Sequence, residues 1–491
     1  MAVFSPHVTY SATESQWRAW RDAYLGGSAV KTRGELYLPR PAGMRRDTQY
    51  AAYKTRALWF GATERAVHGL TGTIFRKAPQ VEIPSSLAPQ LDDVTLTGVP
   101  FETFAEELVR EIVLMGRFGV LIDFPRPVVT DQGIPVMDPL TRPYWVAYTT
   151  EEIVNWRTAQ LAGQTVLTLV VLREGIEERQ GDFPSPDFFV TKTVTQYRVL
   201  RLDEQGQYEV SLWREVPSAI RTTAVPDVIL MDQYIPTRAG VPLPTIPFCF
   251  FAPFTLETDV EKSLLDALIA ANYQYYRHSA DYEHGLHLTA LPTPYVTGYV
   301  DEKTEFLIGS QAAWIIPDAA AKVGMLEFQG QGLQSHERAM ATDIQNMATL
   351  GSRLLEAPTA VAQTATEVLQ RSAGSESPLQ ALILTASQGL TKLLQWHAWW
   401  ANLTENLLDP AILVHLNMDL VSSQADPTLV KTLMEAMLSG TISFETWYWN
   451  LQRGELTRPE VTVEEEQELL AIREATRAPQ MPAEGGGVSP R

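Results

Sequence analysis

Between Leu333 and Leu403 the sequence calls for two long helices in succession, with a short break between them. Leu333, Met340, Ile344, Met347, Gly351 and Leu354 recur at spacings of three, four and seven, which keeps one helical face apolar. The break, Glu356-Ala-Pro-Thr-Ala-Val-Ala-Gln363, holds a proline and no charge after Glu356. Thr364-Ala-Thr-Glu367 then reads as a capping box, in which the Thr hydroxyl accepts the N3 amide and the Glu reaches back to the Thr amide. The second helix continues through Leu379, Leu382, Ile383, Ala386, Leu390, Leu393 and Leu394 to Trp396-His-Ala-Trp-Trp400. Gly374 and Pro378 predict a kink inside it, because proline removes a ladder bond and clashes with the preceding turn. So long and local a pattern, with no catalytic set in it, predicts a machine part built from helices.

The chain has 491 residues, more than the roughly 100–200 of one domain. Lys plus Arg number 39 against 58 Asp plus Glu, a formal charge of −19. Phosphate neutralisation dominates nucleic-acid affinity, so this balance argues against tight DNA binding. An acidic wall that guides DNA without holding it stays compatible with the charge; so does plain solubility. The single cysteine, Cys249, excludes an intrachain disulfide and suits a reducing compartment. Its apolar setting, Ile246-Pro-Phe-Cys-Phe-Phe251, predicts a buried, inert thiol. Met1-Ala-Val-Phe-Ser-Pro lacks the basic and apolar regions of a signal peptide, and no apolar run predicts a membrane span.

Ser11-Ala-Thr-Glu14 predicts a capped helix bearing Trp17, Trp20 and Tyr24 and ended by Gly26-Gly27. A second helix is expected over about Asp47 to Gly69, with Gly69-Leu-Thr-Gly72 allowing close packing. Phe101, Phe104, Ala105, Leu108, Ile112 and Met115 form an amphipathic helix stopped by Gly116, and Val120–Phe124 reads as a buried strand. From Tyr144 to about Leu230 the texture is β, with strands at Thr165–Leu172 and Val194–Leu200, a polar loop from Glu174 to Asp187, and a hairpin into Tyr208–Trp213. Glu261–Leu288 is a helix whose band includes polar Asn272 and Ser279, which predicts an inter-subunit or water-facing surface. Short strands follow near Tyr295–Gly298 and Ala313–Ile316. Asp426-Pro427 begins a helix ending at Gly440. Ile442–Leu451 and Glu464–Arg473, the latter capped by Thr462, are further helices, and the Pro- and Gly-rich tail from Thr476 is expected to be disordered.

Candidate chemistry is sparse. His284 and His287 share a helical face and, with Glu283, could bind metal only with a ligand from elsewhere; a polar surface is the better reading. Gly69-Leu-Thr-Gly-Thr-Ile-Phe-Arg-Lys77 lacks P-loop spacing. Asp123, at a strand end, is a lone carboxylate that reads as structural more readily than as an acid catalyst. The Trp396–Trp400 cluster could stack bases but reads better as core or interface packing. Arg338, Arg353 and Arg371 flank the inter-helix break, either as solvated faces or as transient phosphate contacts. No metal or cofactor is expected.

Several segments in order resemble the portal (head-to-tail connector) proteins of tailed bacteriophages, closest to a portal-like family of uncharacterised phage proteins. They are Tyr50-Ala-Ala-Tyr-Lys-Thr-Arg-Ala57 with Gly69–Pro79, the helix–strand unit Phe101–Pro125, Ile153-Val-Asn-Trp-Arg157 and Ile246-Pro-Phe248. Leu264-Leu-Asp-Ala with Asn272–Asp281, Pro292-Thr-Pro294, Gln363-Thr-Ala-Thr-Glu367 and Gly440–Gly454 complete the order, over about residues 37–475. The resemblance implies an α+β, phage-portal-like fold: an α/β wing over 1–260, stem helices at 261–289 and 332–356, and a small clip at 290–331. It also implies a tunnel loop at 357–363, a long kinked spine helix with wing return at 364–425, a helical crown at 426–475 and a tail at 476–491. The function implied is non-enzymatic. A ring, commonly of twelve copies, sits at one capsid vertex of the virion, is assembled in the host cytoplasm, and conducts double-stranded DNA during packaging and ejection. Its implied partners are its own copies, the large terminase, the major capsid protein or scaffold, and neck or adaptor proteins; no membrane is involved. The loop residues Pro358, Thr359, Ala360, Val361, Ala362 and Gln363 would touch DNA. Another virion ring protein of the neck or baseplate, or a soluble hydrolase, are the alternatives.

Overall fold

The computed structural model describes residues 3–126, 128–129, 135–136, 141–161, 163–179, 181, 184–216, 227–289, 293–298, 316, 319–326, 331–354, 377–420, 427–439, 441–453, 457 and 461–477. The chain is α+β and divides into two compact units, Met1–Met418 and Asp419–Arg491.

Helix α1 (Val8–Leu25) starts earlier than its Ser11 box predicted. His7 is the cap: its Nδ1 accepts from the Thr9 amide at 3.2 Å, while its own amide donates to the Val154 carbonyl at 2.9 Å. That tie to a distant strand sets the entry of the chain and leaves Ser11 inside the helix. Gly26, at φ +87°, ends α1, and the short α2 (Gly27–Thr32) follows. The single helix expected over Asp47–Gly69 is two, α3 (Asp47–Arg56) and α4 (Ala62–Ile74), for a reason that lies in α6 below. Gly69 and Gly72 are exposed and a Cβ on either would meet nothing within 4 Å, so the close packing expected there is absent.

Strand β1 (Gln80–Glu82) precedes α5 (Phe101–Met115), whose predicted apolar row is buried throughout. Gly116 caps α5 at φ +66°, where a Cβ would lie 2.6 Å from the Glu261 carbonyl oxygen. Strand β2 (Phe118–Asp123) is buried at every position. Next come the short pair β3 (Val128–Val129) and β4 (Pro135–Val136), then β5 (Tyr144–Thr149), β6 (Ile153–Leu161), β7 (Gln164–Arg179), β8 (Thr191–Leu202), β9 (Tyr208–Glu215) and β10 (Val228–Tyr234). Strands β6 to β10 form an antiparallel meander, ordered β10-β9-β8-β7-β6. The polar loop expected from Glu174 is strand as far as Arg179, because its backbone pairs with Thr191–Gln196. A ladder that runs past the core needs no apolar side chains, so its end reads as loop in sequence.

The small pair β11 (Thr237–Arg238) and β12 (Val241–Pro242) leads to β13 (Phe248–Phe251), which pairs with β2 in the sheet β13-β2-β5. The long helices α6 (Asp266–Thr289) and α7 (Gln331–Arg353) enclose an antiparallel ribbon, β14 (Thr293–Thr297) with β15 (Lys322–Leu326). The strand predicted at Ala313–Ile316 falls almost wholly outside the described residues, and the Thr364 capping box wholly so. Helix α8 (Pro378–Trp400) is not kinked at Pro378; it begins there. Ser377 is extended (ψ 153°) and forms the capping box with Gln380, so Pro378 occupies the first helical position, where a missing N–H costs nothing. Strand β16 (Leu413–His415) closes the first unit against β1.

In the second unit α9 (Pro427–Leu438), α10 (Phe444–Arg453) and α11 (Val463–Arg477) follow one another, and Thr462 caps α11 with Glu465 as expected. Tyr448 is buried against Phe444 and donates to the Val461 carbonyl at 3.1 Å.

Three readings of single residues hold. Cys249 is buried, and burial pushes its thiol pKa up. Asp123 accepts from Arg198 at 2.7 Å and from the Tyr144 hydroxyl at 3.2 Å, and Arg198 also donates to Glu174. Trp396 and Trp400 are buried, and Trp400 Nε1 donates to the Thr237 carbonyl. Arg117 is an unannounced core residue. Its guanidinium lies 3.8 Å from the Trp156 ring centre and 4.7 Å from that of Phe250. Its nitrogens find no hydrogen-bond acceptor among the described residues, and burial pushes its pKa down to about 9, still charged at neutral pH.

Two measurements test this packing. Gly to Ala inside a helix normally stabilises by about 1 kcal/mol. At Gly389 of α8 a Cβ would sit 2.1 Å from Phe251 Cε1, so Gly389→Ala is expected to destabilise by about 1–3 kcal/mol in thermal melts. His397 is 1 % exposed, and burial, with Arg142 second, lowers its pKa from 6.5 to about 3. The unfolded chain therefore binds a proton that the folded chain refuses. Stability is full above pH 6.5 and falls by about 1.4 kcal/mol per pH unit as pH drops from there toward about 3. In His397→Leu this part of the acid slope should vanish in urea titrations run across that window.

Candidate functional site

Helix α6 is 24 residues long and α7 is 23, each about 35 Å by the helical rise of 1.5 Å per residue. Contacts between them run in opposite order: Leu268 near Gly351, His278 with Asp343, Gly285 against Leu333. The helices are therefore antiparallel neighbours. A Cβ on Gly285 would lie 2.6 Å from Leu333 Cδ2, so the Leu333 side chain occupies the space that glycine leaves.

The other face of α6 explains the split between α3 and α4. Asn272 and Ser279 are 0 % exposed, in the interior of the unit and not at the inter-subunit or water-facing surface expected of them. Asn272 Oδ1 accepts from the Thr63 amide at 3.3 Å and the Thr63 hydroxyl at 3.0 Å, and its Nδ2 donates to the Phe60 carbonyl at 2.7 Å. Ser279 Oγ accepts from the Leu58 amide at 3.0 Å and lies 2.9 Å from the Leu58 carbonyl. Buried backbone groups must find partners. Between the two helices the Leu58 amide and carbonyl and the Phe60 carbonyl are met by these side chains. The same face is tied by Tyr53 donating to Asp281 at 2.7 Å, Tyr273 to the Ala19 carbonyl at 2.7 Å and Trp20 Nε1 to Asp266 at 3.0 Å. Burial, with Asp281 second, pushes the Tyr53 phenol far above its ordinary range.

Toward α7, His278 Nδ1 lies 2.7 Å from the buried Asp343 carboxylate. The apolar row predicted for α7 is offset. Met347 is buried as expected, Ile344 is 38 % exposed, and Asp343 takes the inward place. The signal was available, because Asp343 stands three after Met340 and four before Met347. From Ala341 to Ser352 the exposed positions of α7, such as Thr342, Gln345, Ala348 and Thr349, carry no charge.

Of the residues singled out from sequence, Pro358, Thr359, Ala360, Val361, Ala362, Gln363 and Arg371 lie outside the described residues. Arg338 is exposed on α7, and Arg353 ends that helix. Fifteen residues separate their backbones, about 22 Å along the helix axis. His284 packs edge-on to Tyr53 at 5.5 Å between ring centres, and burial, then Arg56, lowers its pKa. Among the described residues no group of three His, Cys, Asp or Glu side chains is placed to hold a metal ion. No described helix is long and apolar enough to cross a membrane.

A family model described only as a domain of unknown function (DUF4055) matches residues 264–401, which takes in α6, α7 and α8. No curated protein matches. Solved structures that align include the neck of a native GTA particle computed with C12 symmetry, at 14 % identity and TM-score 0.37, covering 86 % of this chain and 98 % of that one. The neck of an empty GTA particle computed with C6 symmetry aligns at 14 % identity and TM-score 0.37, covering 88 % and 99 %. The virion of a native gene transfer agent particle aligns at 14 % identity and TM-score 0.37, covering 86 % and 98 %. A TM-score of 0.37 is too low to equate folds.

The α6 contacts predict the cost of removing one amide. Asn272→Ala leaves the Thr63 amide without its side-chain acceptor, at about 1–3 kcal/mol, while the Phe60 carbonyl keeps the Ala62 amide as a donor. The urea midpoint should fall accordingly. Ile344→Ser, on the exposed side of α7, should shift it by no more than about 0.5 kcal/mol equivalent.

Proposed function

We propose that this chain is a portal-type protein of a tailed bacteriophage. It forms a ring at one capsid vertex, serves as the conduit for double-stranded DNA, and docks the large terminase and later the neck or tail. The observation that carries this reading is the long antiparallel pair α6–α7, anchored on one face to a folded body and uncharged on the outer stretch of α7. A wall of such helices, repeated around an axis, makes a channel. DNA must slide through it. Every Lys or Arg that pairs with a phosphate adds a salt-dependent attraction that motion must break. A neutral face avoids that trap, and a formal charge of −19 per chain repels phosphate at longer range.

The proposed anatomy is a wing over 1–260, stem helices at 261–289 and 332–356, a clip at 290–331, a tunnel loop at 357–363, a spine with wing return at 364–425 and a crown at 426–475. In the clip, Tyr295, Val323 and Met325 of the β14–β15 ribbon are exposed apolar side chains, available to terminase or adaptor. The loop residues Pro358–Gln363 touch DNA without charge; Arg338, Arg353 and Arg371 give transient phosphate contacts. The protein is non-enzymatic on this reading, which is supported by Asp123 being held by Arg198 and Tyr144, and His284 by Tyr53.

Negative-stain images of the purified chain should show closed rings; compact monomers at high concentration would overturn the proposal. Deleting Thr359–Ala362 should leave rings intact and reduce packaged or retained DNA by about tenfold or more, the loss that about 1.4 kcal/mol produces. Collapse of the ring instead would make the segment a structural turn. Rings that bind no terminase and package normally without the loop would mark a neck or baseplate component.

A further inference from the structure

A cavity of about 350 Å³ opens in the first unit where the β6–β7 hairpin, the stretch before and within β13, the loop at 256–258 and α8 meet. Its wall is apolar at Leu167, Ile246, Phe248, Phe250 and Trp396. Thr158, Thr165, Thr245 and Thr258 also line it. One cation faces it. Lys392 of α8 is half-buried and holds its ammonium 4.8 Å from the Trp396 ring centre. Among the described residues no carboxylate lies within 4.0 Å of that ammonium, although Glu257 also lines the cavity.

The mixture is the kind that fixes a ligand: an apolar body for contact area and a few polar groups for orientation. A cation resting on an aromatic face and held in no ion pair attracts an anion without first giving one up. The size sits at the low end of ligand cavities, which run from about 300 Å³. One lysine neutralises one charge. A phosphate dianion would leave charge uncompensated in a protein whose own excess is acidic. We infer that this cavity binds a monocarboxylate with a compact apolar body, its carboxylate on Lys392 and its body against Leu167, Ile246 and Trp396. Two sources offer that chemistry: a free small acid, or an acidic side chain next to an apolar one on another protein. This site is independent of the proposed channel, and it stands whether or not the chain forms rings.

Phenylacetate serves as the free-acid probe, N-acetyl-phenylalanyl-glutamate amide as the peptide probe, and phenethyl alcohol as the neutral isostere. Binding is followed by saturation-transfer NMR on the full chain. Saturable binding of at least one carboxylate probe is expected, weakened about tenfold or more in Lys392→Met, retained in Lys392→Arg, and about tenfold weaker for the alcohol. Thr158→Trp, at the exposed rim, should block the probes while leaving Lys392 in place. Preference for phenylacetate assigns a free acid, and preference for the dipeptide assigns a protein segment. Thermal melts check that each variant folds; should Lys392→Met fail, Thr158→Trp and the alcohol decide. No saturation in the millimolar range by either carboxylate, equal binding of the alcohol, or unchanged binding in a folded Lys392→Met would overturn the inference.

Discussion

The first unit depends on polar side chains of α6 reaching into the gap between α3 and α4. Where the helix is interrupted, Ser279 meets the Leu58 amide and carbonyl, and Asn272 meets the Phe60 carbonyl and the Thr63 amide. The exchange works only because both sides are buried together. An amide in an apolar helix band is a liability alone, and so is a broken helix inside a core. Joined, each satisfies the other, and the register of α6 against the N-terminal helices is set to within one hydrogen bond. Tyr53 with Asp281, Tyr273 with the Ala19 carbonyl and Trp20 with Asp266 extend the same seam.

With one face of α6 held in this way, its opposite face positions α7. Gly285 admits Leu333, and His278 meets Asp343 inside the pair. The inward polar contact turns α7 so that its uncharged, small and amide-bearing positions point outward from Ala341 to Ser352. Rigidity and neutrality thus arise from one arrangement. The charged Asp343 is directed into the seam, where it meets His278, and the exposed positions around it carry no charge.

Legibility from sequence followed the range of the interaction. The α5 row, the buried β2, the Thr462 cap and the inert Cys249 rest on periodicity or on neighbours within a few residues, and each was readable. The break between α3 and α4 rests on contacts more than 200 residues away, so periodicity bridged it as one helix. Asn272 and Ser279 read in sequence as an inter-subunit or water-facing surface, because nothing local shows what a polar residue in an apolar band will meet. The cap of α1 moved to His7 because Val154 holds that residue's amide. Pro378 read as a kink, whereas Ser377 uses it to start a helix. Asp343 was legible from its spacing and was passed over, since an apolar row invites attention to apolar residues.

By itself the sequence determined the α+β class, the long helices α6, α7 and α8, the exclusion of an intrachain disulfide, and an acidic chain without a recognisable catalytic motif. These follow from composition and from side-chain period, which are properties of a segment. Tertiary structure decided where helices stop, which polar residues are interior, and that α7 carries no charge at its exposed positions from Ala341 to Ser352. Those outcomes depend on which buried donors and acceptors find each other across the chain. A hydrogen bond between residues two hundred apart leaves no trace in the spacing of either segment.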